Sequence, residues 1–435
     1  MKKALMFVIS MLMIASCVFA GCSAPAKTSS SAAAATTAAK ATEAAKTSAA
    51  STTAAAATSA AATQATTSGG ATTGSNASTS TTDYSSLISS KLPKGDWYIG
   101  FANGYMGNTW RAQFVECFEG FCEALKQQGI IGKYTVASTS GDVTEQLNQI
   151  NNMISEGVNC ICLNPISPAS VTPIKQLCDD AGVLLVIDTD PAGVDKDLTE
   201  VLVDNRDFFA IMTKWFINKL GGKGNIVQIT GTPGMPATIV RQAVAKNLLK
   251  DTDIKVLGSS PGSWSETDAQ TAMSTFLSTY DKIDGVLTED VMAEGIIRAY
   301  ETAGKDVPVM TGDYVMSFFR KWQTMPNLEA AATTFQPQGA IEGVQYAIRV
   351  LNGQKLDTSK LGTNPLDETM KNAINIPPSY CITKDKPSSD EEWLQGYNLT
   401  QFISLDDALK IGADLSDTAA IGSNWTADTW DSMFK

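Results

Sequence analysis

The sequence predicts an α/β protein made of two doubly wound parallel-sheet lobes. Three observations carry this expectation. Short apolar runs such as "VNCICL" and "VLLVID" show no polar alternation, which marks strands covered on both faces. Amphipathic stretches with helical spacing lie between them. The cycle of strand and helix then runs through twice, in units of similar length.

Each element has its own signal. "WYIGFA" is the first strand, and the stretch after Asn108 places Trp110, Phe114, Phe118, Phe121 and Leu125 on one helical face. "YTVAS" is the second strand. The helix in "GDVTEQLNQINNMISEG" takes Asp142 as N-cap with Glu145 three residues on, and its stripe is Val143, Leu147, Ile150 and Ile154. "VNCICL" and "VLLVID" follow, separated by a helix over Pro168–Ala181. The second cycle opens with a helix carrying Phe208, Ile211, Met212, Trp215 and Phe216, stopped at Gly221 and Gly222. "NIVQIT", "IKVLGS", "DGVLTE" and "VPVMTGD" are strands, with helices near 236–250, 267–280 and 292–303. "AAATTF" and the helix of Ile341, Val344, Ile348 and Leu351 complete the cycle, and "NLTQFISLDDALKIG" reads as an added helix.

The N-terminus reads as an export address. Lys2 and Lys3 precede an apolar run, Ala4 to Ile14, too short to span a bilayer. Residues 1–21 are thus expected to be a signal peptide. "FAGC" places small residues before Cys22 and resembles the lipobox of bacterial lipoproteins, which implies that Cys22 is acylated. Residues 22–92 are expected to be the lipidated cysteine and an Ala/Thr/Ser tether with too little apolar bulk to fold. Such a leash from the outer face of the cytoplasmic membrane suits a domain that must sit beyond a thick, Gram-positive wall; an adhesive or glycosylated stalk is the competing reading.

Composition removes several function classes. The chain of 435 residues has a formal charge of −12 and no histidine. The acidic balance argues against nucleic acid as a partner. Without histidine there is no Ser-His-Asp or Cys-His nucleophile and no histidine-ligated metal. The six cysteines after Cys22 show no CxxC and read as small core residues, with Cys160 and Cys162 on one strand face.

In doubly wound sheets, ligands sit beyond the carboxyl ends of the strands. The residues found there are Asn103, Tyr105, Asn108, Trp110 and Arg111, then Asn164, then Asp188 with Asp190, then Asn205. The second half supplies Arg241, Trp264, Glu289 with Asp290, Asp313 and Gln336. "GYMGNT" lacks the lysine of a phosphate loop, and "GTPGMP" lacks the dinucleotide spacing. Carboxylates accept from hydroxyls, guanidinium and amide groups donate to them, and indole rings cover C–H faces, so the set suits a polyhydroxylated ligand. Asp290 reads equally as a first-turn helix charge.

Taken in order, "GNTWRAQF", "EGVNCICLNPISP", "GVLLVIDTD", "VDN", "TGTPGMPATIVRQAV", "DGVLTEDVMAEGIIRAYETAGK", "VPVMTGD" and "ATTFQP" resemble the ribose-binding type of periplasmic sugar-binding proteins, with the type I periplasmic binding protein fold. The resemblance implies that Asn108, Trp110, Asp188, Arg241, Trp264, Asp313 and Gln336 line a sugar cleft. It implies three crossings between lobes, near Asn205, Gln336 and Ile376. The lobes are then 93–205 plus 337–375, and 206–336 plus 376–435 with a C-terminal extension. Glu289 stands where many relatives carry asparagine, and Thr189 where an arginine often follows the aspartate. Those departures leave pentose, hexose, polyol and amine-bearing ligands all open. The implied function is a monomeric solute-binding lipoprotein that delivers a sugar-like molecule to an ABC permease. It needs no cofactor, performs no reaction, and touches the membrane only through its anchor. The alternative is a sensor that presents its closed form to a receptor kinase. Arg241→Ala and Asp313→Ala are each expected to abolish binding and leave the fold intact.

Overall fold

The computed structural model describes residues 84–388, 390–397 and 401–435. The expected signal peptide, Cys22 and the tether up to residue 83 lie outside the described residues. The chain runs β1 (Tyr98–Asn103), α1 (Thr109–Gln127), β2 (Lys133–Ser138), α2 (Val143–Ser155), β3 (Cys160–Asn164), α3 (Pro168–Ala181), β4 (Leu184–Thr189) and β5 (Glu200–Val203). It continues through α4 (Asn205–Lys219), β6 (Lys223–Thr230), α5 (Pro236–Leu249), β7 (Asp253–Pro261), α6 (Glu266–Thr279), β8 (Gly285–Thr288), α7 (Ala293–Ala303), β9 (Val309–Thr311), α8 (Met316–Gln323) and β10 (Ala330–Thr333). The last elements are α9 (Gly339–Leu351), β11 (Ala373–Ile376), β12 (Tyr380–Thr383), β13 (Gln401–Ser404), α10 (Leu405–Ile411) and α11 (Ala427–Ser432).

Two sheets result. The first has the order β2-β1-β3-β4-β5-β11 and is parallel throughout. The second has the order β7-β6-β8-β9-β10-β12-β13, with β12 antiparallel to β10 and the other pairs parallel. The first five strands of each half follow the same winding, outward once and then back across the sheet. Each half therefore has one switch point, between β1 and β3 and between β6 and β8, and a crevice beyond its carboxyl end.

Local chemistry starts and stops the helices where the sheets need them. Asn108 Oδ1 accepts the Arg111 amide at 2.9 Å and fixes the first turn of α1. Asp142 caps α2 by accepting the Thr144 and Glu145 amides at 2.8 and 3.0 Å. Ser167 caps α3 with Pro168 in its first turn, and Gly182 ends it in the left-handed region at φ 66°. Strand faces alternate between two packing layers. Cys160 and Cys162 join the aromatic layer under α1, while Ile161 and Leu163 face the layer with Ile150 and Val171. The described cysteines are free, and burial pushes the Cys117 thiol up to about 12.

The chain passes between the sheets at Asp204, at Thr334 to Gln338, and at Pro377 to Ser379. Two sequence expectations are corrected and one helix is added. "NLTQFISLDDALKIG" is not one helix, because Gln401–Ser404 adds β13 beside β12 and α10 begins only after Ser404, its cap. The stretch "MSFFRKWQ" forms an additional helix, α8, since Phe318, Phe319 and Trp322 bury one face. Finally, the chain after 376 does not stay with the second lobe. Trp430 of α11 is fully buried against α9, donating its indole N–H to Glu342, and Asp431 pairs with Arg349 at 2.7 Å. No helix among the described residues is long and apolar enough to cross a membrane.

Candidate functional site

Strand ends from both sheets meet around a small cavity of about 30 Å³. The first sheet contributes Asn108, Trp110 and Arg111 at the start of α1, and Asp190 after β4. The second contributes Ala237 and Arg241 of α5, Trp264 before α6, and Asp290 with Val291 after β8. Phe335, on the second crossing, closes the floor.

A continuous polar chain runs through these residues from one lobe to the other. Arg111 donates from Nη1 to Asn164 Oδ1 at 2.6 Å and from Nη2 to Asp190 Oδ2 at 3.2 Å. Asn164 Nδ2 donates to the same Asp190 oxygen at 3.0 Å. Asn205 Nδ2 donates to Asp190 Oδ1 at 3.5 Å, and Asn205 Oδ1 accepts from Arg241 Nε at 2.8 Å. Arg241 Nη1 then donates to Asp290 Oδ1 at 2.8 Å and to Glu289 Oε2 at 3.3 Å. The Tyr314 hydroxyl completes the chain by donating to Asp290 Oδ2 at 2.9 Å. Every guanidinium faces at least one carboxylate, so the pocket balances two cationic with two anionic side chains along its lining.

Aromatic rings support the charged groups. The Arg241 guanidinium lies 4.3 Å from the Phe208 ring centroid and 4.7 Å from that of Phe335. Arg111 sits 5.0 Å from the Trp110 ring, which stacks on Phe114 and donates its N–H to the Phe335 carbonyl at 2.6 Å. Backbone strain also concentrates here. Among the described residues, the non-glycine positions with positive φ are Thr189, at the end of β4, and Ser263, Trp264 and Val291, in the turns after β7 and β8. Such conformations cost on the order of 1–3 kcal/mol each and persist where surrounding packing over-determines them. Val291, a β-branched residue at φ 62°, is the most demanding. A Cβ on Gly231 would meet the Trp264 ring at 2.3 Å, so that glycine lets the indole lie flat over the turn after β6.

The site differs in membership from the sequence expectation. Asn108, Trp110, Arg111, Asp190, Arg241 and Trp264 line the cavity, but Tyr105, Asp188, Asn205, Glu289, Asp313 and Gln336 do not. Asp188 faces α9, where a Cβ on Gly343 would come within 2.7 Å of its Oδ2. Asn205 and Glu289 stand as partners of Arg241. The Tyr105 hydroxyl lies over Gly107. Asp313 Oδ1 accepts its neighbour's amide, that of Tyr314, at 2.8 Å. Gln336 donates to the Pro377 carbonyl at 3.4 Å, joining two crossings. Asp290, which the sequence offers equally as a helix-start charge, lines the cavity, as does Phe335. The strand-end pair Glu289-Asp290 carried the signal for the first, whereas nothing local distinguishes Phe335 from core.

Burial dominates the electrostatics. It pushes the Asp188 carboxyl well above the usual range, with Glu342 and Asp190 adding to the effect. Burial likewise raises Glu289, against the pull of Arg241. Asp313 is raised to about 8, first by burial and then by the charge of Asp290. A carboxyl raised on folding stabilises the folded state below its unfolded pKa, near 4, and that contribution is lost as pH rises through 8. Asp313→Asn keeps the acceptor for the Tyr314 amide and removes the titration. Its thermal midpoint is therefore expected to gain on the parent protein between pH 4 and pH 8, on the order of 1 kcal/mol per pH unit at most. Parallel melting profiles across that range would contradict this assignment.

Comparison with known proteins agrees with the geometry. The sequence matches the family described as periplasmic binding protein domain over residues 99–355. The ribose import binding protein of Bacillus subtilis (strain 168) is 24% identical over 221 residues, covering 51% of this chain and 70% of that one. The xylitol-binding protein of Mycolicibacterium smegmatis is 31% identical over 178 residues, 40% of this chain and 51% of that one. The crystal structure of an ABC transporter solute binding protein from Thermobispora bispora superposes with a TM-score of 0.64 at 22% identity, over 78% of this chain and 94% of its own. That likeness concerns the fold. With a family match that spans more than half of its length, on two sheets wound the same way around one shared cavity, this chain belongs to the periplasmic binding protein domain family.

Proposed function

We propose that this protein captures a small sugar or sugar-like polyol outside the cytoplasm and hands it to an ABC permease. The observation that carries the reading is the cavity between the lobes, walled by the Arg111–Asp190 and Arg241–Asp290 pairs and by the Trp110 and Trp264 rings. Paired guanidinium and carboxylate groups offer donors and acceptors to vicinal hydroxyls without a net charge to neutralise. The free volume between these walls is only about 30 Å³, so in this reading the lobes must part before a sugar ring can enter. Ribose and xylitol, the ligands named for the two relatives, are both of this polyhydroxylated class.

In this reading the site binds its ligand without turnover. Asp188 and Asp313, the carboxyls suited by sequence position to flank a glycosidic bond, do not line the cavity. Residues from both lobes surround the ligand only when the lobes are together, so ligand shifts a hinge equilibrium towards closure. The permease then reads the closed pair of lobes. In this reading the chain is a monomer, anchored through acylated Cys22 and carrying no cofactor.

A melting screen over pentoses, hexoses, polyols and amino sugars tests the proposal. One class is expected to stabilise the protein by about 2.7 kcal/mol at a hundredfold excess over its Kd. A screen in which only phosphorylated or aromatic compounds shift the melting point would sink it.

A further inference from the structure

The structure assigns a fourth tie between the lobes, which we propose is a strap that restrains opening of the cleft. Its place in the fold is the segment from Ser416 to Asn424, between α10 and α11. On the second lobe it pairs with the start of α8: Val315 and Ala420 form an antiparallel bridge. The Met316 and Ser317 amides donate to the Ala419 and Asp417 carbonyls at 2.9 and 2.8 Å. Arg320 also pairs with Asp417 and donates to the Leu415 carbonyl at 2.7 Å. On the first lobe the strap is held by one side chain. Gln113 of α1 donates from Nε2 to the Thr418 carbonyl at 2.6 Å and accepts the Ala420 amide at 3.0 Å.

The strap then follows the hinge itself. A Cβ on Gly422 would meet that of Gln336 at 2.5 Å, so the glycine lets the strap lie directly on the second crossing. The Ser423 amide donates to Ser379 Oγ, on the third crossing, at 3.0 Å. Asn424 Nδ2 donates to the Gln338 carbonyl at 3.0 Å. Beyond it, α11 is anchored on the first lobe through Trp430 and Asp431. Both ends of the strap are fixed, one on each lobe, and its middle bridges α1 and the start of α8. Gln113 lies less than a turn after Trp110 and Arg111, while Val315 directly follows Asp313 and Tyr314.

When the lobes part, α1 moves away from the start of α8, and one set of strap contacts must break. The second lobe holds the strap with a backbone ladder and an ion pair. The first holds it there with the two hydrogen bonds of Gln113. The Gln113 bonds are the weaker set and yield first. Two neutral bonds of this kind shift an equilibrium by roughly 5- to 100-fold when removed together. The strap therefore biases the hinge towards closure before any ligand binds, which raises affinity and slows release.

This inference needs the two lobes and their hinge but not the identity of the ligand, and its test uses none. Spin labels are introduced at exposed Gln127 and Gln323, one on each lobe, in the full chain. Among the described residues the native thiols resist labelling, five being buried and half-buried Cys117 raised to about 12, and Cys17 and Cys22 are replaced by serine. Against that parent, Gln113→Ala is expected to raise the ratio of long to short inter-label distances by roughly tenfold without ligand. A second variant, with residues 416–421 replaced by glycine and serine, is expected to exceed it, and Gln113→Glu to fall between parent and alanine. If both strap variants lower the urea midpoint yet leave the distance distribution as in the parent, the segment is only a structural brace and the proposal is overturned. A failed ligand screen beside altered distances would count against the sugar reading alone.

Discussion

Replacing Arg241 by alanine is expected to lower the unfolding free energy by about 3–5 kcal/mol and to abolish solute binding. The side chain is 2% exposed, and its Nη1 is shared between Asp290 and Glu289 while Nε holds Asn205. Burial opposes its charge, and the two acids outweigh that opposition and hold the guanidinium above its ordinary range. Alanine leaves two carboxylates buried side by side with no cation, the arrangement in which removal of one partner is most damaging. Urea unfolding measures the first effect and calorimetric titration the second. The triple variant Arg241→Met, Glu289→Gln, Asp290→Asn separates them, since it removes the unpaired charges. It is expected to recover most of the stability and none of the binding. The expected loss of stability differs from the sequence expectation that Arg241→Ala leaves the fold intact, because position in a sequence does not reveal that the arginine is also the counter-ion of its neighbours.

Trp430→Ala is expected to cost about 3–5 kcal/mol as well, although it lies far from the cavity. The indole is fully buried between Arg349, Trp425 and Phe434, with ring centroids 5.6 and 6.5 Å from the two aromatic neighbours. Its N–H is one of three donors to the Glu342 carboxyl, beside the Trp425 amide and Asn424 Nδ2. Burial already raises Glu342 to about 7, and those donors pull it down. Loss of the indole creates a cavity and weakens the support of a buried acid in one step. Urea unfolding at pH 7 shows the loss. A change of less than 1 kcal/mol would mean that α11 is not docked on α9 in solution.

Much of the architecture was legible because it is written in local patterns. Apolar runs such as "CICL" can only be strands covered on both sides, and Asp142 or Ser167 start helices through bonds to amides two or three residues away. The rule that ligands sit beyond strand ends brought Arg111, Asp190, Arg241 and Trp264 together before any coordinates did. It failed for Asp188 and Asp313, because strand position does not tell which way a carboxylate turns. Asp188 turns towards Gly343 of a helix more than a hundred residues later. Nor could spacing separate Asp290 from an ordinary helix-start charge, since its partners Arg241 and Tyr314 come from other elements.

The sequence by itself determined the α/β class, the two windings and the polyhydroxyl chemistry of the strand ends, because each depends on residues near one another along the chain. Tertiary structure alone decided which carboxylates face the cavity, that Arg241 is a structural counter-ion, and that the tail returns to touch both lobes. Those outcomes arise from contacts between residues far apart in the chain, such as Gln113 with Thr418 and Glu342 with Trp430, and no local preference encodes them.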